Sequence, residues 1–181
     1  MFLLILGVLL WVAAHFFKRA APDLRASLGE KGKGMVALAL FVSVVLMVFG
    51  YRMADGAVFW GRRPATVGIN NLLVLVAIYM MSPAPRKGKL LAGMRHPMLT
   101  GFALWAVAHL LVNGDVPSFI LFGGLLVWAI AEIVVINRAE PDWTPPVPGP
   151  ISKDFIFIGA SVVLLLVIGY IHGLLGYPVF G

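Results

Sequence analysis

Cysteine is absent from all 181 residues, which removes disulfides, thiolate metal ligands and cysteine nucleophiles together and leaves the redox compartment unreadable. Charge is scarce, at 12% of residues against roughly 25% in a soluble domain. Paired carboxylates within an apolar run, a Gly-rich phosphate loop and a persuasive Ser-His-Asp pattern are missing too, so the common hydrolytic and nucleotide-dependent chemistries have no foothold.

Apolar residues take up the space, at 61% of the chain. A water-soluble core cannot absorb that much, whereas runs of roughly 18 apolar residues match about 30 Å of hydrocarbon. The sequence predicts an all-α fold, a polytopic membrane bundle of about six transmembrane helices forming a single domain over residues 1–181. The expected spans are residues 1–17, 35–51, 67–82, 95–114, 118–137 and 155–175. The first has no basic leader and no small-residue cleavage site, so it is read as a retained helix. Residues 18–34 read as a basic connection and 52–66 as a polar turn, with Trp60 suited to the interface. Pro83 and Pro85 end the third span, and Pro141, Pro145, Pro146, Pro148 and Pro150 keep the last loop from being helical.

Loops one, three and five carry Lys18, Arg19, Arg25, Lys31, Lys33, Arg86, Lys87, Lys89, Arg95, Arg138 and Lys153, and the opposite loops carry Arg52, Arg62 and Arg63. Because cytoplasmic loops retain Lys and Arg, this asymmetry places both termini outside a bacterial cytoplasmic membrane. The net charge of +6 then reflects topology and attraction to anionic lipid, with no nucleic acid required.

All four histidines, His15, His96, His109 and His172, lie in or beside a span. Ionisable groups in hydrocarbon are costly and mark functional sites, and neutral imidazole suits haem iron and other transition metals. The candidate metal ligands are His109, His15 and His172. His15 lies near the cytoplasmic face and His109 towards the outer one, a depth difference of about 15 Å at 1.5 Å per residue, whereas His109 and His172 share a depth. The partner of His109 therefore stays open between the other two. Leu10-Trp11-Val12-Ala13-Ala14-His15 and Leu104-Trp105-Ala106-Val107-Ala108-His109 read almost alike, the pattern of an inverted repeat of two three-helix halves, and Trp11 and Trp105 sit one turn before their histidines. Glu132 reads as a carboxylate snorkelling to water. Asn70 and Asn71 read as interhelical glue, and Gly50, Gly123, Gly124, Gly159 and Gly169 as close helix contacts.

The first-span histidine, the Arg95-His96-Pro97-Met98 string, Ala108-His109 followed by Asn113-Gly114-Asp115, and Gly169-Tyr170-Ile171-His172 together resemble the NnrU family of small membrane proteins over nearly the whole chain. The pattern is also similar to the 15-cis-zeta-carotene isomerases, whose NnrU-like domain uses haem b held by two axial protein ligands. That resemblance implies haem b here, with His15 and His109 as the axial pair. Where those isomerases have a cysteine three residues before the second histidine, this chain has Ala106. The resemblance implies a part in nitrogen-oxide metabolism. Its partners would be the bilayer, other membrane or nitrogen-oxide-handling proteins, and further copies of the chain in a homo-oligomer. A haem-dependent isomerase of a polyene is the alternative, with a lateral opening lined by Met47, Met80, Met81, Phe102 and Phe119. A further alternative is an accessory subunit without chemistry. Arg95 to Gly101 also resembles the motif with which membrane methyltransferases hold S-adenosylmethionine, but a proline-rich loop stands where those enzymes have a Glu-containing amphipathic stretch.

Overall fold

In the computed structural model, which describes residues 1–180, apolar helices dominate. They are α1 (Phe2–Ala20), α2 (Pro22–Ser27), α3 (Gly29–Arg52), α4 (Pro64–Met81), α5 (Ala84–Lys87), α6 (Pro97–Val112), α7 (Val116–Ser118), α8 (Gly124–Ala139) and α9 (Ile151–Leu174), with a π-helical turn at Phe119–Gly123. α7, the π turn and α8 run on as Val116–Ala139, which with α1, α3, α4 and α9 is long and apolar enough to cross a bilayer. The 16-residue α6 is the sixth, shorter span, rising about 24 Å. The expected bundle of about six helices is therefore what the chain forms.

Three local features depart from expectation. The basic connection at residues 18–34 is mostly helical: α1 runs on to Ala20, α2 follows, and α3 begins at Gly29, whose φ of +48 makes the break. The turn after α3 contains β1 (Val58–Trp60), paired with β2 (Gly114–Asp115). The fifth span carries the π turn, which apolar periodicity does not signal.

The chain divides into two compact units, Met1–Phe59 with Gly114–Trp128, and Trp60–Asn113 with Ala129–Gly181. In the first, α1 packs along α3. Leu4, Gly7, Val8 and Ala14 on α1 and Ser43, Met47 and Gly50 on α3 are buried, and their helical spacing sets one face of each helix inward. A Cβ on Gly7 would stand 2.8 Å from the Met47 backbone nitrogen, and one on Gly50 would stand 2.7 Å from the Leu4 Cα. Only hydrogen at these positions lets the backbones approach so closely. Asp115 caps α7 by accepting from the Ser118 N–H at 2.8 Å and its hydroxyl at 3.0 Å, so Tyr51 donates to Ser118 Oγ at 2.8 Å.

In the second unit α4 packs along α6, and α9 packs against α4. Val74, Ile78, Ala108 and Leu165 form a buried cluster flanked by Trp105 and Ile168. A Cβ on Gly101 would meet the Ala77 carbonyl oxygen and Met80 Cβ, each at 2.9 Å. Of the glycines read as helix contacts, Gly50 and Gly124 fit that role. Gly123 and Gly159 have nothing within 4 Å, and Gly169 receives the Phe180 ring from the segment after α9.

Candidate functional site

The three histidines within the spans share one local geometry. The Nδ1 of His15 lies 2.9 Å from the Trp11 carbonyl oxygen, that of His109 lies 2.9 Å from Trp105 O, and that of His172 lies 2.8 Å from Ile168 O. A carbonyl oxygen only accepts, so in each neutral ring Nδ1 carries the proton and Nε2 the lone pair. Such a bond is how ligating histidines have their tautomer and orientation fixed.

Tryptophans pack against two of these rings. Trp11 lies 4.4 Å from His15 with the planes tilted by 42°, and Trp105 lies 4.7 Å from His109 with a tilt of 50°. Their likeness extends one turn upstream, to Gly7-x-x-Leu10-Trp11-x-x-Ala14-His15 and Gly101-x-x-Leu104-Trp105-x-x-Ala108-His109. In both, the glycine meets the backbone of a packed helix and the alanine before the histidine is buried. The packing partner of α1 is the next long helix, α3, whereas that of α6 is the long helix before it, α4. The repeat is thus carried by helix pairs, and two successive three-helix halves do not describe it. Trp128, which the sequence did not single out, adds a second indole 4.4 Å from His15.

His109 and His172 both belong to the second unit. His15 belongs to the first unit. Arg95 and His96 are engaged elsewhere. The Arg95 guanidinium donates to the carbonyls of Glu140 and Pro141, and His96 Nε2 meets Asn137 Oδ1 at 2.8 Å. The pair ties the start of α6 to the end of α8 and the proline-rich loop. A model of the NnrU family, described as NnrU protein, matches residues 3–179. The chain belongs to the NnrU family. No curated protein and no solved structure matches it.

For this NnrU protein the donor set can be tested against a haem. Among the described residues no three His, Asp or Glu side chains gather as a ligand set for a bare metal ion. A haem needs only one or two protein ligands, and imidazoles with Nε2 presented by a carbonyl-bound Nδ1 fit it. The lateral opening expected for an isomerase fares differently. Met47 and Met80 are buried against Gly7 and Gly101 at helix contacts, and Phe119 stacks 5.7 Å from Phe59. Glu132 does not simply reach water either, since its Oε2 is buried.

The carboxylate the sequence reading missed is Asp154, which it assigned to the proline-rich loop. It lies in the first turn of α9 and is fully buried. It accepts from the Tyr79 hydroxyl at 2.5 Å and from the backbone N–H groups of Lys89 and Leu90 at 2.6 and 3.4 Å. Gly88 is pressed against the same carboxylate, leaving no room for a side chain. This clasp joins α4, α9 and the chain after α5. An acidic residue four positions after Pro150 was the signal available, because a carboxylate beside an apolar run needs donors. Asp154→Ala leaves three donors without their acceptor, and the thermal midpoint of the detergent-solubilised protein should fall by several degrees. Asp154→Asn, which keeps one carbonyl oxygen, should lower it less.

Proposed function

We propose that this NnrU-family protein is a haem-binding protein of the bacterial cytoplasmic membrane, with axial imidazole ligation by His109 and a second histidine, acting in nitrogen-oxide handling. The reading rests above all on three intramembrane rings that each have Nδ1 tied to the carbonyl one turn before, which prepares Nε2 for iron. Trp105 supports it by packing beside His109, as does Trp11 beside His15. Haem b held there would supply a one-electron couple and, where an axial position opens, a place for a diatomic ligand. The protein's own contribution is to orient the imidazoles and surround them with apolar side chains. Loops one, three and five face the cytoplasm, by their excess of Lys and Arg.

The test is the absorption spectrum of protein purified from haem-replete membranes. A low-spin spectrum with paired-imidazole bands is expected in both redox states, with a change on adding nitric oxide. Stoichiometric protein without any Soret band would reject haem binding; a haem spectrum indifferent to nitric oxide would reject the nitrogen-oxide role alone.

A further inference from the structure

We propose that Asn70 is a positioning residue for His109, the third point of a clamp on the helical turn that carries the ring; the inference rests on the reading of His109 as a haem ligand. Three consecutive carbonyls of α6 each accept from a side chain of a different segment. Asn70 of α4 donates to Ala108 O at 2.8 Å, Asn113 Nδ2 donates to His109 O at 2.9 Å, and Trp60 Nε1 of β1 donates to Leu110 O at 3.0 Å.

Two of these contacts lie at the helix end. Leu110 is in the last turn, where a capping donor is expected, and the Asn113 amide joins its own backbone N–H, 2.9 Å away, on the His109 carbonyl. Ala108 is different, because Val112 is still helical and stands four residues ahead. Its carbonyl needs no cap, so the Asn70 bond is an added restraint.

The direction of that bond follows from the acceptor. A side-chain oxygen turned towards Ala108 O would set two acceptors together, whereas the amide nitrogen donates there. Turned so, the amide exchanges its 3.0 Å bond to Asn71 Oδ1 for the one to Ala108 O, and its oxygen accepts from the Asn71 backbone N–H at 3.3 Å. Asn70 is buried at 8% exposure, beside the cluster of Val74, Ile78 and Ala108, so water is a poor substitute for this partner. Donors from α4, β1 and the Asn113 cap reach one turn, which fixes its rotation as well as its depth. The ring direction of His109 follows from both, because its Nδ1 is fastened to the same helix at Trp105 O.

The experiment compares wild type with Asn70→Leu, which keeps the volume and removes the amide, and with Asn70→Gln, which keeps a donor. Asn70→Ala serves where the leucine variant does not accumulate. The ferric haem is read by electron paramagnetic resonance, and the amides of residues 110–113 by hydrogen exchange in haem-free protein. The leucine variant should keep its haem but give a shifted, broadened low-spin signal and about fivefold faster exchange, with partial recovery in the glutamine variant. A signal and an exchange rate superimposable on wild type would overturn the clamp alone. A wild-type protein that takes up no haem would overturn the functional reading and the clamp's role in it, whatever the exchange rates show.

Discussion

Replacing His109 with alanine is expected to remove the paired-imidazole absorption bands of the haem-loaded protein, the largest single change any histidine substitution should cause. Its ring is tautomer-fixed by Trp105 O, flanked by the Trp105 indole and carried on a turn held by Asn70, Asn113 and Trp60. Loss of an outer partner of a metal-bound histidine already lowers affinity by about 10–100-fold, so losing the ring itself should cost more. Exactly one of His15→Ala and His172→Ala should reproduce the effect and thereby name the second ligand. His96→Ala should leave the bands in place, since that ring is held by Asn137. Spectra of the four variants at matched protein concentration decide the matter: intact paired-imidazole bands in the His109 variant would remove it from the ligand set.

Gly50→Val should separate α1 from α3. The new Cβ would stand 2.7 Å from the Leu4 Cα, and a backbone atom cannot swing aside as a flexible side chain can. Leu4, fully buried, lies directly in its path. Overpacking of this kind costs about 1–3 kcal/mol, and against backbone the upper end is expected. The thermal midpoint and the detergent-extractable yield should both drop. Gly159→Val, where nothing lies within 4 Å, should leave both unchanged, so equal behaviour of the two variants would contradict the packing described.

The spans were legible because crossing a bilayer demands length and apolarity, which composition cannot hide. Histidines were legible as a set for the related reason that imidazole is out of place in hydrocarbon. Asp154 escaped notice because it lies four residues after Pro150, where the proline-rich stretch drew the boundary too late. Its donors come from Tyr79 and from the chain after α5, and such distant pairings leave no trace in local periodicity. Gly7 and Gly101 were within reach, since each stands four residues before a Trp-x-x-x-His string. Gly123 and Gly159, by contrast, show that glycine in a span does not by itself report contact. Trp128 could not be tied to His15 from sequence, because a helix containing a π turn no longer counts at a constant 100° per residue.

That turn, Phe119–Gly123, has an effect one helical turn further on. A π turn accommodates one surplus residue, so everything after it is rotated by about 100° relative to an uninterrupted α-helix. Trp128 comes five residues after the turn ends, and it is this rotated register that brings its indole beside His15 and edge-on to Trp11 at 5.3 Å. Trimming one amino acid from Phe119–Gly123 would leave the fifth span apolar and nearly as long, yet swing the indole a quarter-turn away. The aromatic wall around the first-span imidazole therefore depends on backbone register set in a stretch, Phe119–Gly123, that carries no chemistry-bearing side chain.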